Sequence, residues 1–267
     1  MMQRRRASAG YLVWLDGRPS VLVDAGGGTF DRLSRIGVSP AALDLIVLTH
    51  THIDHSGGLA PVVFAAWMDE RTRPLAVVGP AARDQHSGCQ RFCDLLFGEA
   101  GAWSYLHTFE GFGIEAEEVD AEPDRGPVAI DAPGGLHVSA TGVPHGMMPA
   151  VAYRIDHGGA SACFTGDIEG SHDGLRRLAD DVDLLVHDQS LPSRDAEHGD
   201  MHSPPAETAA NASGAGASTL VLSHLMPEGE AKLDQMVADV RAGYDGEVIV
   251  AHDLLTIAAD GRVLDDG

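Results

Sequence analysis

Three imidazoles and a carboxylate fall within six residues in Thr49-His50-Thr51-His52-Ile53-Asp54-His55-Ser56-Gly57-Gly58. Imidazole nitrogen and carboxylate oxygen are the donors that a borderline divalent cation such as zinc accepts. His50 and His52 stand two apart, so in extended chain their side chains point the same way. The turn that follows can bring Asp54 and His55 toward a neighbouring point, and one segment then serves two cations, as in two-metal hydrolases. Gly57 and Gly58 allow the chain to turn tightly after it. Four donors cannot close two sites, so further ligands are needed elsewhere. Three residues occupy the same kind of position, just beyond an apolar run: His145 in Val143-Pro144-His145-Gly146, Asp167 in Phe164-Thr165-Gly166-Asp167, and His224 in Val221-Leu222-Ser223-His224. Singly, each is an ordinary polar residue at a strand end; their recurrence marks them as candidate ligands.

The elements that must position these residues are short apolar runs that end in polar or Gly-rich turns. Strands are expected at Tyr11 to Leu15, Ser20 to Val23, Leu45 to Leu48, Leu75 to Val78, Leu136 to Ala140, Val151 to Ile155, Ala162 to Thr165, Asp183 to Val186, Thr219 to Leu222 and Glu247 to Val250. Helical patterns lie between them at Leu59 to Glu70, Gly174 to Ala179, Pro205 to Ser213 and Lys232 to Ala242. Strands in both halves with helices interleaved predict an α/β chain of two sheets packed face to face, helices outside. No repeat or linker divides the chain, so residues 1–267 read as a single domain. The stretch from Arg83 to Pro133, with acids at Glu115, Glu117, Glu118, Asp120, Glu122 and Asp124 and aromatics at Phe92, Phe97, Trp103, Tyr105, Phe109 and Phe112, reads as a helical insertion followed by a solvated acidic loop.

The whole pattern resembles the metallo-β-lactamase superfamily, whose signature is His-x-His-x-Asp-His. The segment Val21-Leu22-Val23-Asp24-Ala25-Gly26 is similar to that family's early strand and turn. The resemblance implies a four-layer αββα sandwich. It implies one metal on His50, His52 and His145, a second on Asp54, His55 and His224, and Asp167 bridging them. The expected cofactors are two zinc ions, with manganese the alternative, and the expected nucleophile is a hydroxide between the metals. Asp54 is then both ligand and catalytic residue.

The second half resembles one branch more closely. Val186-His187-Asp188-Gln189-Ser190 and His202-Ser203-Pro204-Pro205 look like the His-Glu-Ala-Thr and His-Ser-Thr segments of the ribonuclease Z-like and phosphodiesterase branch. Asp188 stands where that branch has glutamate, which keeps the carboxylate and shortens its reach. The resemblance implies that Asp188 orients His202, which stabilises or protonates the leaving oxygen. His224 aligns as the metal ligand, whereas His252 does not and stays unassigned. Members that process tRNA carry a long basic arm between the third histidine and the bridging aspartate; here His145 and Asp167 are 22 positions apart.

Composition points the same way. The formal charge is −22, from 40 acidic and 18 basic residues, and such a surface repels phosphate backbones. A small ester or phosphodiester is the expected substrate, tRNA is disfavoured, and the resemblance suggests a homodimer. Three cysteines form no disulfide framework and suit a reducing cytoplasm. Met1 to Arg6 is basic, but neither an export signal nor a membrane span is expected. His86, Cys89 and Cys93 are spaced like a metal cluster but lack a fourth donor, so core or surface cysteines are the favoured reading. Gly146-Met147-Met148-Pro149 suggests an adaptable apolar wall. Gly26-Gly27-Gly28 lacks the lysine of a phosphate loop and is expected to admit close backbone approach. A carboxylic ester, lactone or sulfate ester hydrolase on the same site, and a metal-binding or sensing protein without turnover, remain the alternatives.

Overall fold

The computed structural model describes residues 6–108, 111–265 and 267, so the basic stretch 1–5 and Phe109 lie outside the described residues. The chain divides into two compact units, one of residues 1–120 with 132–135 and one of residues 121–131 with 136–267.

The first unit holds β1 (Tyr11–Leu15), β2 (Arg18–Val23), α1 (Thr29–Arg35), β3 (Leu45–Val47), α2 (Ile53–Ser56), α3 (Leu59–Met68), β4 (Leu75–Pro80), α4 (Cys89–Phe97) and β5 (Ile114–Val119). Its sheet runs in the order β1-β2-β3-β4-β5. A tight turn joins β1 to β2, which therefore pair antiparallel, while helical crossovers make β2 through β5 parallel. Every residue of β3 is buried. Leu22, Ile46, Leu48 and Val77 share one core with Leu33, Leu59, Val62, Val63, Ala66 and Phe97. Cys89 and Cys93, on the inner side of α4, belong to this core. A hydrogen bond with Cys93, together with burial, pushes the Cys89 thiol well above its usual range, so it packs as a small apolar group.

The acidic stretch departs from expectation. Glu115, Glu117 and Glu118 lie in β5, an edge strand whose outward residues are charged, and not in a solvated loop. Acids are depleted from strands in general, but charge on an edge strand deters pairing with another chain. Glu118 has a further task, since its Oε1 accepts from Gln90 N at 3.0 Å in the first turn of α4. Helix α1 is a second element absent from the sequence reading.

The second unit holds β6 (Val128–Asp131), β7 (His137–Val143), β8 (Ala150–His157), β9 (Ala160–Phe164), α5 (Asp173–Leu178), β10 (Leu184–Asp188), α6 (Pro205–Ala215), β11 (Thr219–Ser223), α7 (Pro227–Ala231), α8 (Leu233–Arg241), β12 (Glu247–Val250), β13 (Thr256–Ile257) and β14 (Val263–Asp265). Its main sheet runs β12-β11-β10-β9-β8-β7-β6. Strands β9 to β12 are parallel and β6 to β9 antiparallel. Strand β7 thus points the same way as β9, β10, β11 and β12, and all five end on one edge. Gly158 and Gly159, at φ 59° and 84°, supply the turn between β8 and β9. This hairpin fills the chain between His145 and Asp167, so no arm is inserted there. A core of Val143, Ala152, Cys163, Leu185, Leu220 and Leu222 packs on Leu175, Leu178, Ala209, Ala212 and Val240 of the helices. Among the described residues, no helix is long and apolar enough to cross a membrane.

Candidate metal centre

In each unit the candidate ligands stand just beyond the carboxyl ends of strands that point the same way. This is the edge at which open α/β sheets present their ligands, because the loops there diverge and expose polar groups.

In the first unit, β3 delivers Thr49 and His50, and the turn of α2 carries Asp54 and His55. His50 and His55 are buried, whereas His52 and Asp54 are half-buried. His50 Nε2 stands 3.0 Å from His52 Nδ1. Ligand atoms of a tetrahedral zinc with bonds of about 2.0–2.1 Å lie roughly 3.4 Å apart, so this pair is spaced for a shared cation. The chain end of β2 holds the loop in place. Ala25 N donates to His55 O at 2.7 Å and Gly58 N to Ala25 O at 2.7 Å. A Cβ on Gly26 would lie 2.0 Å from Asp54 O, and one on Gly58 would lie 2.2 Å from Gly26 O. The glycines around residue 26 do admit backbone against backbone.

Asp24 is the functional residue of this unit to which sequence reasoning gave no role. It is fully buried at φ 57°, a strained setting for a residue with a Cβ. It accepts from Thr49 N at 2.7 Å, from Thr49 Oγ1 at 2.8 Å and from His55 Nδ1 at 2.7 Å. Its sequence signals were its place at a strand end, the position shared by Asp167 and Asp188, and the resemblance of the Val21–Gly26 segment to the family's early strand and turn.

In the second unit, His145 follows β7, Asp167 follows β9, Asp188 ends β10 and His224 follows β11. The two oxygens of Asp167 face different imidazoles. Oδ2 is 3.8 Å from His145 Nε2, and Oδ1 is 3.5 Å from His224 Nδ1. One atom each of Asp167, Asp188, His202 and His224 falls within a span of 4.8 Å. His145 is oriented through Nδ1 by the Met201 carbonyl at 3.0 Å. These nitrogen and oxygen donors, clustered and held from behind, fit a borderline divalent cation.

His202, at the entry to α6, directs Nδ1 onto Asp188 Oδ2 at 2.7 Å, with both residues buried. Burial alone would raise the Asp188 carboxyl, but the charge and hydrogen bond of His202 outweigh it and hold the group below the usual range. Asp188 Oδ1 accepts from Ser190 N at 3.0 Å and from Ser190 Oγ, and Ser190 Oγ lies 2.7 Å from His224 Nδ1. Behind Asp188, His187 Nδ1 donates to Asp188 O at 2.7 Å, and Asn211 Nδ2 lies 3.0 Å from His187 Nε2. Burial lowers the pKa of His187, so this ring is neutral and rigidly held. Ser190, His187 and Asn211 also escaped assignment, for a single polar residue in or beside a strand or helix carries no periodic signal. His252 follows β12, is exposed, and joins none of the metal-suited groups among the described residues. His86, Cys89 and Cys93 likewise join none of these groups among the described residues.

A family model for the beta-lactamase superfamily domain matches residues 20–225. Human tRNase Z, short form, superposes with a TM-score of 0.74 at 22% identity, covering 96% of this chain and 94% of that one. A diphosphatase from the PhnP family gives a TM-score of 0.66 at 19% identity, over 98% and 86% of the two chains. The fold is the α/β metallo-β-lactamase fold, and the chain belongs to the beta-lactamase superfamily. Ribonuclease Z of Mycobacterium bovis (strain BCG / Pasteur 1173P2) is 30% identical over 263 residues, spanning 92% of this chain and 90% of the relative. The chain is therefore a metal-dependent hydrolase of the ribonuclease Z-like branch.

Proposed function

We propose that this protein is a dinuclear phosphodiesterase acting on a small substrate. The observation that carries the reading is the buried His202–Asp188 pair, joined at 2.7 Å in the same unit as Asp167 and His224. An alkoxide departing from a phosphodiester needs a proton, and a buried imidazole backed by carboxylate is built to supply it. The metals are assigned to His50, His52 and His145 for one, Asp54, His55 and His224 for the other, and Asp167 for both, on the sequence motif and family membership. When bound, two zinc or manganese ions would supply Lewis acidity and an ionised water as nucleophile.

The chain's own residues then do the following. Asp188 accepts a hydrogen bond from His202 Nδ1–H and fixes the ring. His202 Nε2 is left to give a proton to the departing oxygen. Ser190 and Ile168, through backbone N–H groups, hold Asp188 in turn. Both units together are assigned to a single catalytic domain. Small substrates are favoured over tRNA by the net charge of −22 and by the short hairpin between His145 and Asp167. Three free, buried cysteines accord with a reducing cytoplasm.

The test is turnover of bis(p-nitrophenyl) phosphate and of a phosphodiester with an alkyl leaving group by zinc- or manganese-loaded protein. His202→Ala is expected to keep its metals and lose about 10²–10⁴-fold in kcat on the alkyl ester, the usual range for a general acid. Equal rates for wild type and variant on that substrate would remove the role of His202. No turnover of either diester by protein carrying two metals would turn the assignment to carboxylic, lactone or sulfate esters.

A further inference from the structure

An imidazole ligates a metal only through a ring nitrogen without a proton, and the partner of the other nitrogen decides which one that is. In the first unit, Thr49 Oγ1 stands 2.8 Å from Asp24 Oδ2 and 3.1 Å from His50 Nδ1. A hydroxyl has one hydrogen. Given to the carboxylate, it is not available to the ring, so His50 Nδ1 must itself donate to Thr49 Oγ1. Nε2 of His50 is then the bare nitrogen.

The second unit repeats the arrangement. Ser190 Oγ contacts Asp188 Oδ1 and lies 2.7 Å from His224 Nδ1. The reverse assignment, with Ser190 donating to the ring, would press oxygen lone pairs together across the Ser190–Asp188 contact. His224 therefore carries its proton on Nδ1 and leaves Nε2 bare. The parallel extends further. The hydroxyl residue's own N–H also donates to the carboxylate, Thr49 to Asp24 at 2.7 Å and Ser190 to Asp188 at 3.0 Å. Each carboxylate takes a second imidazole directly, His55 and His202, both at 2.7 Å. Thr49 and Ser190 are buried, so water does not replace the hydroxyl.

We propose that Thr49 and Ser190 are positioning residues that set the ring tautomers of His50 and His224, each as the hydroxyl link between a buried carboxylate and a metal-ligating imidazole. The proposal rests on the ligand assignment above but not on the substrate. It is a statement about which nitrogen is protonated, and it gives one carboxylate, Asp188, a hold on both the leaving-group histidine and a ligand histidine.

Two measurements test it: long-range nitrogen–proton correlation spectra of the ring nitrogens in zinc-loaded wild type, and zinc affinity by competition with a chromophoric chelator. Wild type is expected to show Nδ1–H rings at His50 and His224. Ser190→Ala is expected to weaken one zinc by about 10–100-fold, the usual effect of losing a partner behind a ligand, and Ser190→Thr to restore it. Thr49→Val and Thr49→Ser should behave likewise. An Nε2–H ring at His224, or Ser190→Ala holding both zinc ions as tightly as wild type, would overturn the proposal. The wild-type spectrum decides the matter even if Ser190→Ala does not fold. Wild type that binds no zinc overturns both the ligand assignment and this inference. Two zinc ions bound with the expected tautomers, but no phosphodiester turnover, overturns the substrate alone.

Discussion

His187 illustrates how a single buried group writes itself into the pH dependence of stability. Its ring sits in the second unit between the Asp188 carbonyl and Asn211, and burial depresses its pKa from 6.5. An unfolded chain binds this proton at a higher pH than the folded one. Stability from the group is therefore complete above about pH 6.5 and declines as pH falls toward the depressed folded value, by at most about 1.4 kcal/mol per unit. In metal-stripped protein, the urea midpoint should fall between pH 7.5 and pH 5.5. His187→Gln should show a shallower fall, whatever its absolute stability. An identical slope in the two proteins would mean that His187 takes up its proton as readily in the fold as in the unfolded chain.

At the level of elements, the loop between α3 and β4 depends on one buried cation. The Arg71 guanidinium and Nε donate to the carbonyls of Ala41, Leu43, Arg73 and Pro74 at 2.7–2.9 Å. Burial, and then the neighbouring Arg73, pull its pKa down to about 10. It stays charged at neutral pH and ties the chain entering β3 to the chain entering β4. Arg71→Met keeps much of the volume but strands these acceptors, and should destabilise the protein by about 3 kcal/mol in urea unfolding. A loss below about 0.5 kcal/mol would show that water satisfies the carbonyls instead.

For the molecule as a whole, net charge governs which partners can approach. At −22, long-range repulsion opposes any polyanion, and the effect is strongest at low salt. A precursor tRNA is expected to bind weakly in filter-binding or anisotropy assays and to gain little as salt is lowered. Tight binding that weakens steeply with salt, accompanied by cleavage, would return the substrate to RNA, the class that the name of the ribonuclease Z relatives denotes.

The sequence by itself determined the candidate ligand segment, the strand ends that carry further candidate donors, and the fold, because these signals are local. His50, His52, Asp54 and His55 sit within six residues, and the apolar runs that become β3, β9, β10 and β11 are unbroken. The pairing of Asp188 with His202 also had a legible trace in the branch motifs. Only tertiary structure decided the rest. Asp24 and Thr49 are 25 positions apart and Ser190 and His224 are 34, and each pair meets because parallel strands bring distant chain ends to one edge. Strand β5 was illegible for a related reason. Its acids deny it an apolar pattern, and only its neighbour β4, by offering a free edge, makes it a strand.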